Sequence, residues 1–407
     1  MSAQGAVVIV GASLAGAKVA ESLRIEGFDG PVRLIGREAH FPYQRPPLSK
    51  TLLQGTADLT KPQVLDNSYY AANEIDLLLG IEVVSIDLAE KEVELDGGRK
   101  VGFGTLVLAT GSSVRHLTVP GSDLAGIHYL RTLDDSLILR EALQPGRRVV
   151  VIGGSWIGTE VAASARIRGV EVVMIDHDTL PLNHIFGPEM GGFFADLHRG
   201  HGVDLRPQSE VDRIEGDREV RAVVLKDGTR IEADAIVAGI GVTPNVGLAE
   251  DAELAVDDGV LVDDHLRTSH PSVFAIGDIA NQMHPILEQR VRVEHWSNAL
   301  NQGIATGRNI AGNDNVYQRV PFFYSDQYDM GMEYAGWPVP WERVVFRGDP
   351  ADGAFLAFFM DGDHVVGGAN VNIWDINPQI QTLIRTATPV KDEALADPDV
   401  DLAGLAG

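Results

Sequence analysis

The sequence predicts an α/β protein with two similar strand–turn–helix units and a C-terminal α+β segment. Three observations predict it. The phrase VVIVGASLAG at residues 7–16 returns as VVVIGGSWIG at residues 149–158. After each copy comes a helical pattern that stops at a Gly: AKVAESLRIEG after Gly16 and TEVAASARIRG after Gly158. Near the end, the runs YDMGMEYAGW and FLAFFMDGDHVVGGANVNIWD alternate apolar positions around Gly-Asp turns, which implies a small antiparallel sheet, and NPQIQTLIRT then reads as a helix.

Each duplicated phrase starts with a Val/Ile run too short and too β-branched for a helix. In a strand–turn–helix setting, G-x-G-x-x-G is the dinucleotide-binding fingerprint. Its first Gly permits the turn, its second lets the backbone approach a pyrophosphate, and its third lets helix and strand pack closely. The phosphates then sit on the amides at the helix start. Here the pattern is G-x-S-x-x-G twice, at Gly11, Ser13, Gly16 and at Gly153, Ser155, Gly158. The Ser tightens the approach, but its hydroxyl is itself a donor to a phosphate oxygen. Small residues at these positions also suit plain helix–strand packing. The duplication in matching context favours two dinucleotide-binding units of the Rossmann type.

The second strand of the later unit, VEVVMID, ends on Asp176, where a carboxylate accepts from a ribose diol. That favours NAD over NADP, whose 2′-phosphate a carboxylate repels. In the earlier unit VRLIG ends at Gly36, with Arg37 and Glu38 beyond. Either suits the adenosine half of a cofactor, or both are surface charges beside a strand end. TLVLATGS (105–112) is a buried-looking strand ending in small residues. SVFAIGDIA (272–280) sets Asp278 after such a strand and before a helical pattern, placed to bond a hydroxylated ligand or to act as an ordinary N-cap.

The chain has 407 residues, long enough for two or three domains, with 44% apolar and 22% charged residues. Its net charge of −25 argues against nucleic acid or an anionic membrane as the main partner. No apolar run reaches the roughly 18 residues needed to cross a bilayer, and no Lys or Arg precedes the apolar start. A cytoplasmic protein is expected. The absence of cysteine removes disulfides, thiolate metal sites, protein-bound iron–sulfur clusters and thiol nucleophiles. No metal site is expected, and HRGH (198–201) reads as a helix end.

With these residues in view, the chain resembles the FAD-dependent, NADH-using ferredoxin reductases of putidaredoxin, rubredoxin and aromatic-dioxygenase systems, which share the glutathione-reductase fold. The resemblance runs through GASLAG, PYQRPPLSK, LATGS, LRTLDD, GGSWIGTEVA, GVTPN, VFAIGD, EHWSNALNQG and FFYSDQYD. It implies a discontinuous FAD domain (1–115 and 246–318), an NAD domain (116–245) between its parts, and a C-terminal domain (319–407). One glycine phrase then serves FAD and the other NADH. The resemblance assigns FAD contacts to Gly11, Ser13, Leu14, Ala15, Gly16, Arg37, Glu38, Arg45, Lys50, Val83, Ala109, Thr110, Gly111, Arg131, Asp278 and Trp296. It assigns NADH contacts to Gly153, Gly154, Ser155, Trp156, Ile157, Gly158, Glu160, Asp176 and Gly241.

In PYQRPPLSK (42–50) the prolines pre-set a helical turn and present Lys50 from a helix start, where a cation opposes the dipole and calls for an anionic partner or a task. The resemblance supplies Glu160. It implies that this catalytic pair flanks the flavin and admits the nicotinamide between its members, for a hydride transfer in which the protein supplies alignment and electrostatics. Without cysteine, electrons must leave the flavin directly for an external acceptor, and an iron–sulfur ferredoxin is the family's usual one. An acidic ferredoxin needs a local cationic patch, for which Arg290 and Arg292 are candidates, solvated edge charges being the alternative. The pattern around MEYAGW also resembles apoptosis-inducing-factor-like flavoproteins and monodehydroascorbate reductases, which leaves a quinone, an organic radical or NADH-responsive partner binding as other readings. The acidic tail, DEALADPDVDLAGLAG, is expected to pack loosely or fray.

Overall fold

A computed structural model describes residues 5–406. The first Val-rich run forms the strand Val7–Val10, followed by α1 (Leu14–Ile25). It lies at the centre of a parallel sheet ordered Val273–Ala275, Thr105–Leu108, Val7–Val10, Val32–Gly36, Ile75–Leu79. The second run does the same in another parallel sheet, ordered Asp204–Arg206, Glu171–Ile175, Arg148–Ile152, Ala235–Ala238, Ile127–His128, and leads into α2 (Trp156–Ile167). Both central strands are fully buried apart from the first residue of the second, as parallel strands covered on two faces must be.

The duplication extends beyond the glycine phrase. A three-stranded antiparallel meander precedes the strand on the other side of the central one in each unit, Thr105–Leu108 and Ala235–Ala238: Val83–Asp87, Glu92–Leu95 and Lys100–Gly102 in one, Val211–Gly216, Val220–Leu225 and Arg230–Glu232 in the other. The first sheet takes its last strand from residues 273–275, far along the chain, and the antiparallel pair Ser112–Val114 with Val242–Pro244 ties together the points where the chain leaves and returns.

The glycines of the fingerprint are explained by contact. Gly11 has φ +118°, and a Cβ there would lie 2.1 Å from the Ala109 carbonyl oxygen; one on Gly16 would lie 2.1 Å from the Gly11 carbonyl oxygen. Gly153 and Gly158 repeat this, with 2.5 Å to the Gly239 oxygen and 2.0 Å to the Gly153 oxygen.

Asp278 departs from expectation. Gly277–Ile279 is one 3-10 turn, and the chain continues as strand Ala280–His284 rather than a helix. The buried residues Ala280, Asn281 and Gln282 that follow it pair in parallel with Val260–Val262 instead.

The next helix in the chain, α3 (Asn183–Gly200), bends at Gly187, whose φ of 73° and ψ of −178° break the helix just before Pro188 restarts it. The imidazoles of HRGH lie at its end, as expected. Then α4 (Trp296–Ile310) packs along α1, with Gly307 so close that a Cβ would sit 2.5 Å from that of Ser22.

The C-terminal part is a five-stranded antiparallel sheet ordered Phe322–Gln327, Met330–Gly336, His364–Val371, Phe355–Asp361, Arg343–Arg347. Helix Asn377–Thr386 covers one face through Ile380, Leu383 and Ile384. The other face meets α3 through Phe186, Phe194, Phe355 and Phe359, with Phe186 and Phe359 stacked at 5.4 Å.

The tail does not fray. Leu395 and Leu402 are buried, Asp392 takes a bidentate pair from Arg343 at 2.6 and 2.8 Å, and Arg347 donates to the carbonyls of Ala394, Leu395 and Val400. Two leucines in an acidic segment supply about 1.5–3 kcal/mol of burial each, enough to hold it down. Arg347→Ala leaves those carbonyls unpaired, and limited proteolysis is expected to cut within 390–406 at least about tenfold faster than in the parent protein.

Candidate active site

A cavity of about 980 Å³ opens at the C-terminal ends of the first sheet's strands. In sheet order its wall takes Gly36 to Glu38, then Gly11 to Ala15, then Ala109 to Gly111, then Ile276 to Asp278. This is where open parallel sheets bind ligands. Ser13 stands at the start of α1 without a capping bond, and the first turn has no acidic side chain, so the helix amide donors there remain for a ligand.

The wall also includes Arg45, Lys50, Arg131, Glu160, Trp156, Ile157, Trp296 and Tyr324, with Val83 and Glu82, the latter 3.6 Å from Arg37. Arg131 Nη2 donates to Asp278 Oδ2 at 2.8 Å, while Arg131 Nε and Ser112 Oγ, both on the cavity wall, are buried without partners. Orphaned donors at a cavity wall call for an acceptor-rich ligand.

Several predicted contacts are already committed elsewhere. Glu38 accepts from Arg45 Nη2 at 3.1 Å and from the Tyr43 hydroxyl, and Arg45 also donates to the Arg131 carbonyl. Of the pair Arg37 and Glu38, Arg37 is therefore the exposed member, its side chain 67% accessible and 3.6 Å from Glu82. Tyr43 was not singled out from the sequence. Its hydroxyl accepts from Leu133 N and donates to Glu38, and burial raises its pKa.

Gly16, Gly153, Gly154, Ser155, Gly158, Asp176 and Gly241 lie outside this cavity's wall, whereas Trp156, Ile157 and Glu160 of the second unit are part of it. The Ser155 hydroxyl donates to the Gly239 carbonyl at 2.8 Å and accepts from Gly158 N at 3.4 Å, so it ties this turn to the end of strand Ala235–Ala238. Asp176 accepts from Gly154 N at 3.1 Å and Asp178 N at 3.2 Å, and burial raises its pKa. Gly154 is glycine for that carboxylate: a Cβ there would lie 2.1 Å from Asp176 Oδ2.

The Lys50–Glu160 pair forms. Lys50 Nζ is 2.8 Å from Glu160 Oε1, and both residues are 5% exposed. Lys50 occupies the joint between the 3-10 turn Pro46–Ser49 and the helix Thr51–Gln54, with φ −118° and ψ −116°. Its ammonium lies 5.4 Å from the Tyr324 ring centroid and 3.3 Å from the Pro46 carbonyl. The pair is closed, so a ring entering between its members has to part them. Glu160 also accepts from Ser325 Oγ at 2.7 Å and from Ser49 Oγ. Burial is the main cause that raises the pKa of Asp326 nearby, with Glu160 adding to it and Lys50 opposing. Trp296 stands beside the cavity, its Nε1 donating to Gln44 Oε1 at 3.0 Å and its ring edge-on to Phe322 and Tyr324.

Arg292 is not a free cation. It bridges Asp258 at 3.2 Å and Glu294, and donates to the Asp278 carbonyl. Arg290 is exposed on the same strand, with Nη1 donating to the carbonyls of Asn281 and Val262. Local carboxylates in this acidic chain neutralise one of the two charges proposed for docking.

Among the described residues, Asp263, Asp264 and His265 place three possible ligand atoms within 4.8 Å. Asp263 caps its own turn through His265 N and Arg267 N, and His265 is taken up by Asp264 and Asp314. No helix among the described residues is long and apolar enough to cross a membrane.

Residues 5–303 match the family described as pyridine nucleotide-disulphide oxidoreductase, and residues 322–406 match the reductase C-terminal family. The chain is 37% identical to putidaredoxin reductase CamA of Pseudomonas putida, covering 99% of this chain and 97% of that one. It is 39% identical to the anthranilate 1,2-dioxygenase system ferredoxin–NAD(+) reductase component of Burkholderia cepacia, covering 97% and 98%. Among solved structures, the reductase in the covalent putidaredoxin reductase–putidaredoxin complex superposes with a TM-score of 0.95 at 36% identity, covering 98% and 97%. The ferredoxin reductase for the CYP199A2 system of Rhodopseudomonas palustris also gives 0.95, at 35% identity, covering 99% and 100%. A duplicated nucleotide-binding unit, a strand-end cavity and an added C-terminal sheet thus place this chain in the pyridine nucleotide-disulphide oxidoreductase family, beside the ferredoxin reductases of oxygenase systems.

Proposed function

We propose that the chain is an NADH-dependent FAD ferredoxin reductase of an oxygenase system, and that it works in the cytoplasm. One observation carries the reading: the cavity at the strand ends terminates on a buried Lys50–Glu160 pair supplied by two different units, in a chain without cysteine.

The residues present fit FAD. The free amides at the start of α1 suit its pyrophosphate, and the unpartnered Arg131 Nε and Ser112 Oγ suit its acceptors. FAD supplies the chemistry of taking a hydride from NADH and passing electrons on singly. Arg131 and Asp278, fixed on each other, hold the middle of the site. Trp296, tethered to Gln44, and Tyr324 wall its far end and exclude water there. Lys50 and Glu160 orient the incoming ring and set the local field in which it reacts. The second unit presents Asp176 beside Asp178, where a 2′-phosphate meets carboxylates, which supports NADH over NADPH. With no thiol to relay them, electrons leave for an external iron–sulfur protein.

Steady-state turnover with a panel of acceptors tests this. The expected result is direct ferricyanide reduction by NADH, with cytochrome c reduced rapidly only after a ferredoxin is added. Rapid turnover with quinones or organic radicals and none with any ferredoxin would overturn the acceptor assignment.

A further inference from the structure

A chain of hydrogen bonds runs from the protein surface to Glu160, through groups that the proposed chemistry does not otherwise use. His198, at the end of α3, is fully buried. Its Nε2 is 2.9 Å from Gln327 Oε1 and its Nδ1 is 3.1 Å from the Tyr328 hydroxyl. Gln327 Nε2 donates to Ser325 Oγ at 3.2 Å and to Thr159 Oγ1 at 3.1 Å, and Ser325 Oγ donates to Glu160 Oε1 at 2.7 Å. At the outer end the exposed His201 ring stacks on Tyr328, with centroids 3.6 Å apart.

The chemistry of the ends fixes the direction of every bond. Glu160 as a carboxylate only accepts, so Ser325 donates. A Gln oxygen only accepts, so His198 must carry its proton on Nε2, which leaves Nδ1 to accept from Tyr328. Burial lowers the His198 pKa to about 4, consistent with a neutral ring bearing one proton. Four successive bonds therefore point towards Glu160, and donors aligned in this way polarise one another.

The chain also joins parts of the fold distant in sequence. Ser49 and Lys50 come from the first unit, Glu160 and His198 from the second, and Ser325, Gln327 and Tyr328 from the C-terminal sheet. Alternation on strand Phe322–Gln327 sends Ser325 and Gln327 inward to this chain, and Tyr324 towards the cavity.

We propose that His198 is a positioning residue: through Gln327 and Ser325 it holds the Glu160 carboxylate fixed and anionic, so that Lys50 is the member of the pair that moves when a ring enters. Glu160 has Lys50, Ser49 and Ser325 as donors, whereas among the described residues Lys50 has besides Glu160 the Pro46 carbonyl, the Tyr324 face and the more distant Asp326 carboxylate. The charged and titratable groups facing Glu160 are Lys50, Asp326 and Tyr324; those facing His198 are His201 and Tyr328, with Arg166 beyond Tyr328. This inference rests on the reading that the pair faces the reaction.

The pH profile of kcat/KM for NADH, with ferricyanide as acceptor and FAD-loaded protein, tests it. The amide nitrogen of Gln reaches about as far as a His Nε2, and that of Asn only as far as Nδ1, so His198→Gln keeps the donor to Gln327 and His198→Asn loses it. In His198→Asn the acidic limb is expected to rise by about 0.5–1 pH unit, because a carboxylate with weaker donors protonates more readily. His198→Gln restores the parental limb. Ser325→Ala, a one-atom change that serves even if the Asn variant fails to fold, reproduces the Asn shift. Equal profiles for the Asn and Gln variants, or an unmoved limb in Ser325→Ala, overturn the proposal. A readout independent of turnover is the ¹⁵N signature of His198 in histidine-labelled protein: a stable Nε2-protonated tautomer is expected, and Nδ1 protonation overturns the relay. The parental rate alone reports on the proposed function, so the two failures are distinguishable.

Discussion

Glu160→Ala is expected to lower stability by about 3–5 kcal/mol and NADH-dependent turnover by about 100-fold or more. The stability loss follows from burial. With both partners 5% exposed, removal of the carboxylate leaves a buried ammonium with the Pro46 carbonyl, the Tyr324 face and the more solvated Asp326 carboxylate nearby, and leaves Ser325 without its acceptor and Ser49 with a long bond to the Pro46 carbonyl at 3.4 Å. The activity loss has a different origin, the missing group that orients the entering ring. A double variant separates the two. Lys50→Met combined with Glu160→Gln removes both charges at similar volume, and denaturant titration should show most of the lost stability returning, since an uncharged pair avoids the desolvation penalty. Turnover should stay low. If the double variant recovers turnover along with stability, the pair is a structural tie and not part of the chemistry.

The second large effect is expected at Gly11. Gly11→Ala puts a Cβ 2.1 Å from the Ala109 carbonyl oxygen at φ +118°, where L residues are strained. The contact is to backbone, so the strand end or the turn has to shift, and this is the turn that sets the amides of α1 against the cavity. The purified variant is expected to carry less than about a tenth of the parental flavin absorbance, since a 1 Å displacement at a preorganised site costs roughly two orders of magnitude. Gly27→Ala is the control. Gly27 has φ +79° with nothing within 4 Å of a Cβ, so only the conformational penalty of about 1–2 kcal/mol applies, and flavin should be retained. Equal flavin loss in both would mean that general destabilisation, not the cradle, is responsible.

Much of this was legible because it repeats. The phrases at 7–16 and 149–158 located both central strands and both helix starts, and the alternation from Tyr328 onward located the antiparallel sheet. Lys50 was visible as a cation in an awkward place. The sequence hid how donors are spent. Ser155, Glu38 and Arg292 look available in one dimension and are engaged in three, by Gly239, by Tyr43 with Arg45, and by Asp258 with Glu294. Gly239 lies 84 positions from Ser155, and even the nearer partners are set by how the chain turns back rather than by a sequence pattern. The tail misled for a related reason, because its acidity spoke for solvent while Leu395, Leu402 and Arg347 decided otherwise.

By itself, the sequence determined where the nucleotide-binding turns fall and that no thiol lies on the electrons' route, because backbone conformation at Gly and the absence of a residue type are local facts. Tertiary structure alone decided that Ser325, Gln327 and His198 join the Lys50–Glu160 pair in one hydrogen-bonded chain. They come from separate stretches of the sequence, and only the packing of both units against the C-terminal sheet removes the water that would otherwise keep them apart.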